Sequence, residues 1–161
     1  MVKISKKQCL FFILPILWVV FIFTNSLKPA TDSQAMSDPF SGFLESILSF
    51  FRINIDTDTA SFIVRKFAHG TEFAVLAVLL MLAFYFFAPL KKPTHFFITV
   101  LFIGVMVALT DEAIQLFVPG RGSDVRDVFV DFTGVLIGTI IMTTVFTLIK
   151  NRAKKGVKNE N

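Results

Sequence analysis

The chain has a single cysteine, Cys9, among 161 residues, so no disulfide framework holds the fold. Charge is scarce as well. Asp, Glu, Lys and Arg make up 17% of the residues against 54% hydrophobic ones, and 21 phenylalanines stand beside one Trp and one Tyr. A soluble domain of this length could not bury that much apolar surface, whereas helices facing lipid need not. The mean hydropathy of +0.70 agrees. The net charge of +4 forms no basic patch, so no nucleic-acid partner is expected, and the first partner is the lipid bilayer.

What is present is a set of long uncharged runs. Gln8 to Leu27 carries no charge over about 20 residues, enough to cross a hydrocarbon core of roughly 30 Å. Lys3, Lys6 and Lys7 precede it, as in a signal peptide. The run exceeds the usual apolar signal region of about 7–15 residues, and no small-x-small cleavage site follows Phe23, so it reads as an uncleaved anchor. Pro15 inside it is tolerable in a membrane helix, and Trp18 is expected to pack mid-span. Spans are expected at about 8–27, 61–88, 96–118 and 124–149, with Pro89 closing the second. Pro119-Gly120 makes the turn before the fourth, which Ser123 or Asp124 caps. Residues 1–149 thus form one domain, and 150–161 a basic, frayed cytoplasmic tail.

Between the first two spans, Phe40, Phe43, Leu44, Ile47, Leu48 and Phe51 follow the i, i+3, i+4, i+7 rule. This predicts an amphipathic helix over about 39–51, capped by Ser37 or Asp38, with Pro39 at its first position. It is expected to lie flat at the interface with its aromatic face inward. The alternative is a lid whose apolar face packs on the bundle. Asn54 to Thr59 reads as a polar linker. The expected fold is an all-α membrane protein, a four-transmembrane-helix bundle with an extracytoplasmic amphipathic interfacial helix.

Basic residues set the orientation. The N-terminus, the Pro89–His95 loop and the tail are rich in Lys and Arg and nearly free of acid, which predicts that both termini are cytoplasmic. His95 is expected to be solvated on that loop. The polar ends of spans two, three and four then fall together outside. These ends carry two clusters, RKFAHGTE at Arg65–Glu72 and DEAIQLFVPGRGSDVRDVFVD at Asp111–Asp131. Ionisable residues at a membrane boundary are costly and mark functional sites. At 100° per residue Arg65, His69 and Glu72 share one face, as do Asp111 and Gln115, with Glu112 alongside. Asp124, Asp127, Asp131, Gly134 and Gly138 form one stripe, and a GxxxG pair turns that stripe toward another helix. The glycines serve the bundle or, alternatively, a homodimer; the oligomeric state is left open.

The pattern Arg65-Lys66-x-x-His69-x-x-Glu72-Phe73, then Asp111-Glu112-x-x-Gln115-x-Phe117-Val118-Pro119-Gly120-Arg121, then Asp124, Asp127, Asp131 and two spaced glycines, resembles the VanZ-like family of small bacterial membrane proteins. The resemblance runs from about Phe62 to Thr139. It implies a polytopic helical protein of the bacterial cell membrane with a cell-envelope role. The founding member is associated with low-level resistance to the glycopeptide-type antibiotic teicoplanin. The resemblance brings no reaction with it.

Three readings of the charged site follow. In the first, Arg65, Lys66, Arg121 and Arg126 grip the phosphate or carboxylate of an envelope lipid, or of a lipid-linked or glycopeptide ligand, with His69, Glu72, Asp111, Glu112, Gln115, Asp124, Asp127 and Asp131 completing the pocket. In the second, an intramembrane hydrolase or transferase acts on a lipid headgroup, with His69, Glu72, Asp111 and Glu112 as its acid–base groups. The same His and acids suit a divalent metal, yet one histidine is a poor zinc site, so no metal and no cofactor are assigned. No serine or cysteine nucleophile sits in the cluster. In the third, four cations and six acids form only a structural ion-pair network that sets helix register. A proton-coupled carrier is disfavoured, because no charge lies in the inner half of any span.

Overall fold

Hydrocarbon offers the backbone no hydrogen-bond partners, so a chain this apolar must satisfy its amides within helices. The computed structural model describes residues 6–87, 93–122 and 124–159. Among them lie five helices and no strand: α1 (Lys6–Ser26), α2 (Ala30–Phe50), α3 (Thr57–Phe87), α4 (Thr94–Gln115) and α5 (Val125–Asn159). Segments Gln8–Ser26, Thr57–Phe87, Thr94–Gln115 and Val125–Ala153 are long and apolar enough to cross a membrane. The protein is a multi-pass membrane protein. Pro89, Lys91, Lys92 and Ser123 lie outside the described residues.

Local signals place the helix ends. α3 starts four residues before the expected span, inside the presumed linker, because Asp56 caps it. Its Oδ1 accepts from the Thr59 amide at 2.8 Å and its Oδ2 from Thr59 Oγ1 at 2.7 Å. Asp124 caps α5 in the same way, accepting from the Arg126 amide at 2.9 Å. α2 ends in a Schellman motif, with Arg52 at φ 61° and bonds from Arg52 N to Ser49 O and from Ile53 N to Leu48 O. The Pro119-Gly120 turn forms as expected, with Gly120 at φ 75°.

Two expectations are corrected. The tail is not frayed through residue 159: α5 runs 35 residues, about 52 Å at 1.5 Å per residue, and so outruns the hydrocarbon core. α2 is longer than 39–51 and takes Pro39 into its interior, so neither Ser37 nor Asp38 caps it. Its polar side makes the contact with the bundle. Ser37 and Ser41 are the buried residues, and Ser41 Oγ meets Ser61 Oγ of α3 at 3.0 Å. Phe40, Phe43 and Ile47 face outward. The lid with its apolar face on the bundle is therefore excluded. In a lipid-facing protein the apolar side has no reason to turn inward, and small polar residues make the helix contact.

α3 is the central helix and packs against each of the other four, most extensively against α5. Phe73, Leu76, Ala77 and Met81 of α3 meet Ile22, Val100, Ala108 and Val135 in the buried core. The α3–α5 approach is a backbone contact. A Cβ on Gly134 would lie 2.0 Å from Gly70 O, and one on Gly138 would lie 2.4 Å from Ala74 O. The GxxxG pair is thus used within one chain.

Two stability outcomes are expected. Gly134→Ala gains up to about 1 kcal/mol in helix propensity, but its methyl overlaps a backbone oxygen that cannot rotate away. The net effect is a loss of about 1–3 kcal/mol and a lower Tm, whereas Gly42→Ala, with open space around it, is neutral or stabilising. Separately, the Thr59 hydrogen bonds hold the Asp56 carboxyl below its ordinary value of 3.8. A depressed folded-state pKa stabilises above that value and loses its effect as pH falls through the lowered one. The Tm advantage of wild type over Asp56→Ala should accordingly shrink in strong acid and be pH-independent near neutrality.

Candidate functional site

α1 and α4 end where α3 and α5 begin their crossing, so four polar helix ends meet at one end of the bundle. From α3, Lys66 is ion-paired with Asp127 of α5, and His69 Nδ1 lies 3.9 Å from Asp131 Oδ1. From α4, Asp111, Glu112 and Gln115 are all buried. Asp111 Oδ2 accepts from Gln115 Nε2 at 2.9 Å and from Ser26 Oγ at 2.7 Å. Glu112 Oε2 accepts from the Asp124 amide at 3.0 Å, tying α4 to the start of α5.

Two adjoining cavities open over this floor. The first, about 300 Å³, is lined by Phe62, Arg65, Lys66, His69, Gln115, Arg121, Asp124 and Asp127, with Ala30, Ser33 and the two glycines beside Arg121. The second, about 210 Å³, shares Ser33, Arg65, His69 and Arg121 with it and adds Glu72, Lys28 and Asn25 with apolar Met36, Phe40, Val64 and Ala68. Arg121 reaches across to α2, donating from Nη2 to Ser33 Oγ at 2.7 Å. Partial burial pushes the Arg121 pKa below the ordinary guanidinium value, while the field of Asp111 opposes that and Arg65 adds to it; the guanidinium stays a cation.

The expected residues therefore sort by depth. Arg65, Lys66, His69, Gln115, Arg121, Asp124 and Asp127 line the first cavity and Glu72 the second. Asp111, Glu112 and Asp131 lie buried beneath. Arg126 is exposed and lines neither cavity. Its backbone amide joins the α5 cap.

Sequence reasoning missed the share of α1 and α2. Ser26 is fully buried against Asp111, and Asn25 Nδ2 donates to Glu72 Oε1 at 2.9 Å. Lys28 Nζ in turn donates to Asn25 Oδ1 at 3.0 Å. Trp18 does more than pack, since its Nε1 donates to the Glu72 carbonyl at 2.9 Å. The polar run Thr24-Asn25-Ser26 at the end of an otherwise apolar span was the available signal.

Nor is the set a saturated ion-pair network. Of the four cations in the cluster, Lys66 is paired with Asp127, while Arg65 and Arg121 line the cavity.

A model of the family described as VanZ/LLP1 matches residues 11–148. No curated protein and no solved structure matches the chain.

If α1 closes the site through Ser26, Ser26→Ala strips a donor from a buried carboxylate and should cost about 1–3 kcal/mol. Thr24→Ala removes only an exposed bond to Val20 O and should stay within about 0.5 kcal/mol. Thermal unfolding of both variants in detergent compares the two losses.

Proposed function

Because the chain belongs to the VanZ/LLP1 family, we propose that it binds the anionic headgroup of an envelope lipid, or of a lipid-linked or glycopeptide molecule, in the double cavity at the polar end of the bundle. The observation that carries this reading is the pairing of Arg65 and Arg121, shared by both cavities, with the apolar wall of Met36, Phe40 and Val64. A planar guanidinium offers a fork of donors matched to phosphate or carboxylate. The apolar wall suits the first segment of an acyl or prenyl chain. Phe40 and Phe43, exposed on α2, would continue that surface into lipid.

The basic N-terminus, the loop between α3 and α4 and the tail support cytoplasmic termini, which turns the cavities toward the outer leaflet. Holding an envelope molecule there fits the teicoplanin resistance associated with the founding family member. A second reading, turnover of the bound headgroup, is favoured by His69, which lines both cavities with Asp131 behind it. It predicts release of inorganic phosphate from a polyprenyl phosphate, lost in His69→Ala.

Binding is tested with full-length protein in nanodiscs, titrated with a polyprenyl phosphate and separately with teicoplanin. At least one should bind saturably. Loss of a charge-assisted pair worth about 1.5–3 kcal/mol predicts that Arg121→Ala weakens binding tenfold or more, on the scale of about 1.4 kcal/mol per decade. Arg126→Ala should change it less than about threefold. Failure of both probes to saturate on wild type sinks the proposal.

A further inference from the structure

Beneath the cavities sits a group that headgroup binding leaves unexplained. Asp131 is 1% exposed, and neither of its carboxylate oxygens has a hydrogen-bond partner among the described residues. Asp111 is fully buried; both of its donors go to Oδ2, and Oδ1 has none. One donor atom from each of His69, Asp111 and Asp131 lies within 4.8 Å of the other two. Buried carboxylates without donors are costly, and two side by side repel each other. A cation between them removes both penalties. The neighbouring cations Lys66 and Arg121 are engaged elsewhere, Lys66 with Asp127 and Arg121 with Ser33.

We propose that His69, Asp111 and Asp131 together bind one divalent transition-metal cation of the Mn²⁺ or Zn²⁺ class. The donor set is one imidazole nitrogen and two carboxylate oxygens. Imidazole selects against Mg²⁺ and Ca²⁺, which take oxygen shells, while the carboxylates suit Mn²⁺ and are common on Zn²⁺. Bonds of about 2.0–2.2 Å place ligand atoms of one ion no more than about 4.4 Å apart. The trio, at up to 4.8 Å, closes that gap by small side-chain rotations.

Charge balances as well, since two carboxylates and a neutral imidazole cancel a dication in an apolar interior. Ser26 and Gln115, by donating to Asp111 Oδ2, orient that carboxylate and leave Oδ1 toward the ion. Three protein ligands leave coordination positions open, and His69 lines the first cavity, so those positions face the space beside Arg65 and Arg121. Counting histidines along the chain argues against a metal. The count changes once α5 delivers Asp131 to α3 and α4.

The site stands on its own buried donors and does not require that the cavity bind a lipid. The test therefore uses the metal alone. Full-length protein in detergent, stripped with chelator and desalted, is titrated with MnCl₂, and free Mn²⁺ is read by its paramagnetic resonance signal. Wild type should bind one Mn²⁺ per chain, displaced by Zn²⁺. Asp131→Asn should weaken binding tenfold or more, and Asp58→Asn, an exposed carboxylate at the start of α3, should leave it unchanged. Trp18 fluorescence and Tm report whether Asp131→Asn is folded; if it is not, His69→Gln reads the same loss. Uptake of Zn²⁺ but not Mn²⁺ also supports the site. Wild type that takes up neither ion stoichiometrically overturns it, as does a folded Asp131→Asn or His69→Gln variant that binds as tightly as wild type.

Discussion

Everything at the polar end depends on how closely the backbones of α3 and α5 approach. Gly134 and Gly138 lie against the carbonyls of Gly70 and Ala74, with no room for a methyl group at either crossing point. The two helices run parallel, so the register set there carries up the pair. One turn toward the polar end His69 meets Asp131, and a further turn along Lys66 meets Asp127. Between lipid-solvated helices there is no hydrophobic driving force, and close van der Waals contact with interhelical hydrogen bonds takes its place. The small residues are therefore a condition for the site as well as for the fold.

The other elements close what α3 and α5 begin. α4 brings Asp111, Glu112 and Gln115 to the buried side, and its Gly104 admits Val135 of α5, whose methyl groups would collide with any Cβ there. α1 seals the far side through Trp18, Asn25 and Ser26. α2 covers α3 with serines and leaves its phenylalanines outside. The result is graded in polarity: charged groups of both signs line the cavities, the buried acids Asp111, Glu112 and Asp131 lie below, and apolar side chains face the lipid. A grade of that kind suits an amphiphilic ligand with a charged head and a greasy tail.

Much of this was legible along the chain, because bilayer thickness and helical rise are fixed lengths. Uncharged runs of about 20 residues identify spans whatever their neighbours are. The acidic stripe from Asp124 to Gly138 follows from helical period alone. Other features were less visible. Phe40, Phe43 and Ile47 mark an apolar face correctly, but apolarity alone cannot say whether the face meets protein or lipid. The helix caps show a related shortfall. Asp56 and Thr59 carry a capping signal, yet hydropathy places the span four residues later, since a polar first turn still belongs to the helix.

By itself, the sequence determined that this is a four-span membrane protein with its acidic residues massed at one end and basic segments at the other, because composition and period are properties of the chain taken segment by segment. It determined too that one stripe of α5 must meet another helix. Only the tertiary structure decided which helix, and so which carboxylate lies beside His69. It also decided that Ser26 and Gln115 share Asp111, and that Arg65 and Arg121 face a cavity while Arg126 does not. Those outcomes depend on distances between residues that are far apart in the chain, and such distances exist only once backbones touch.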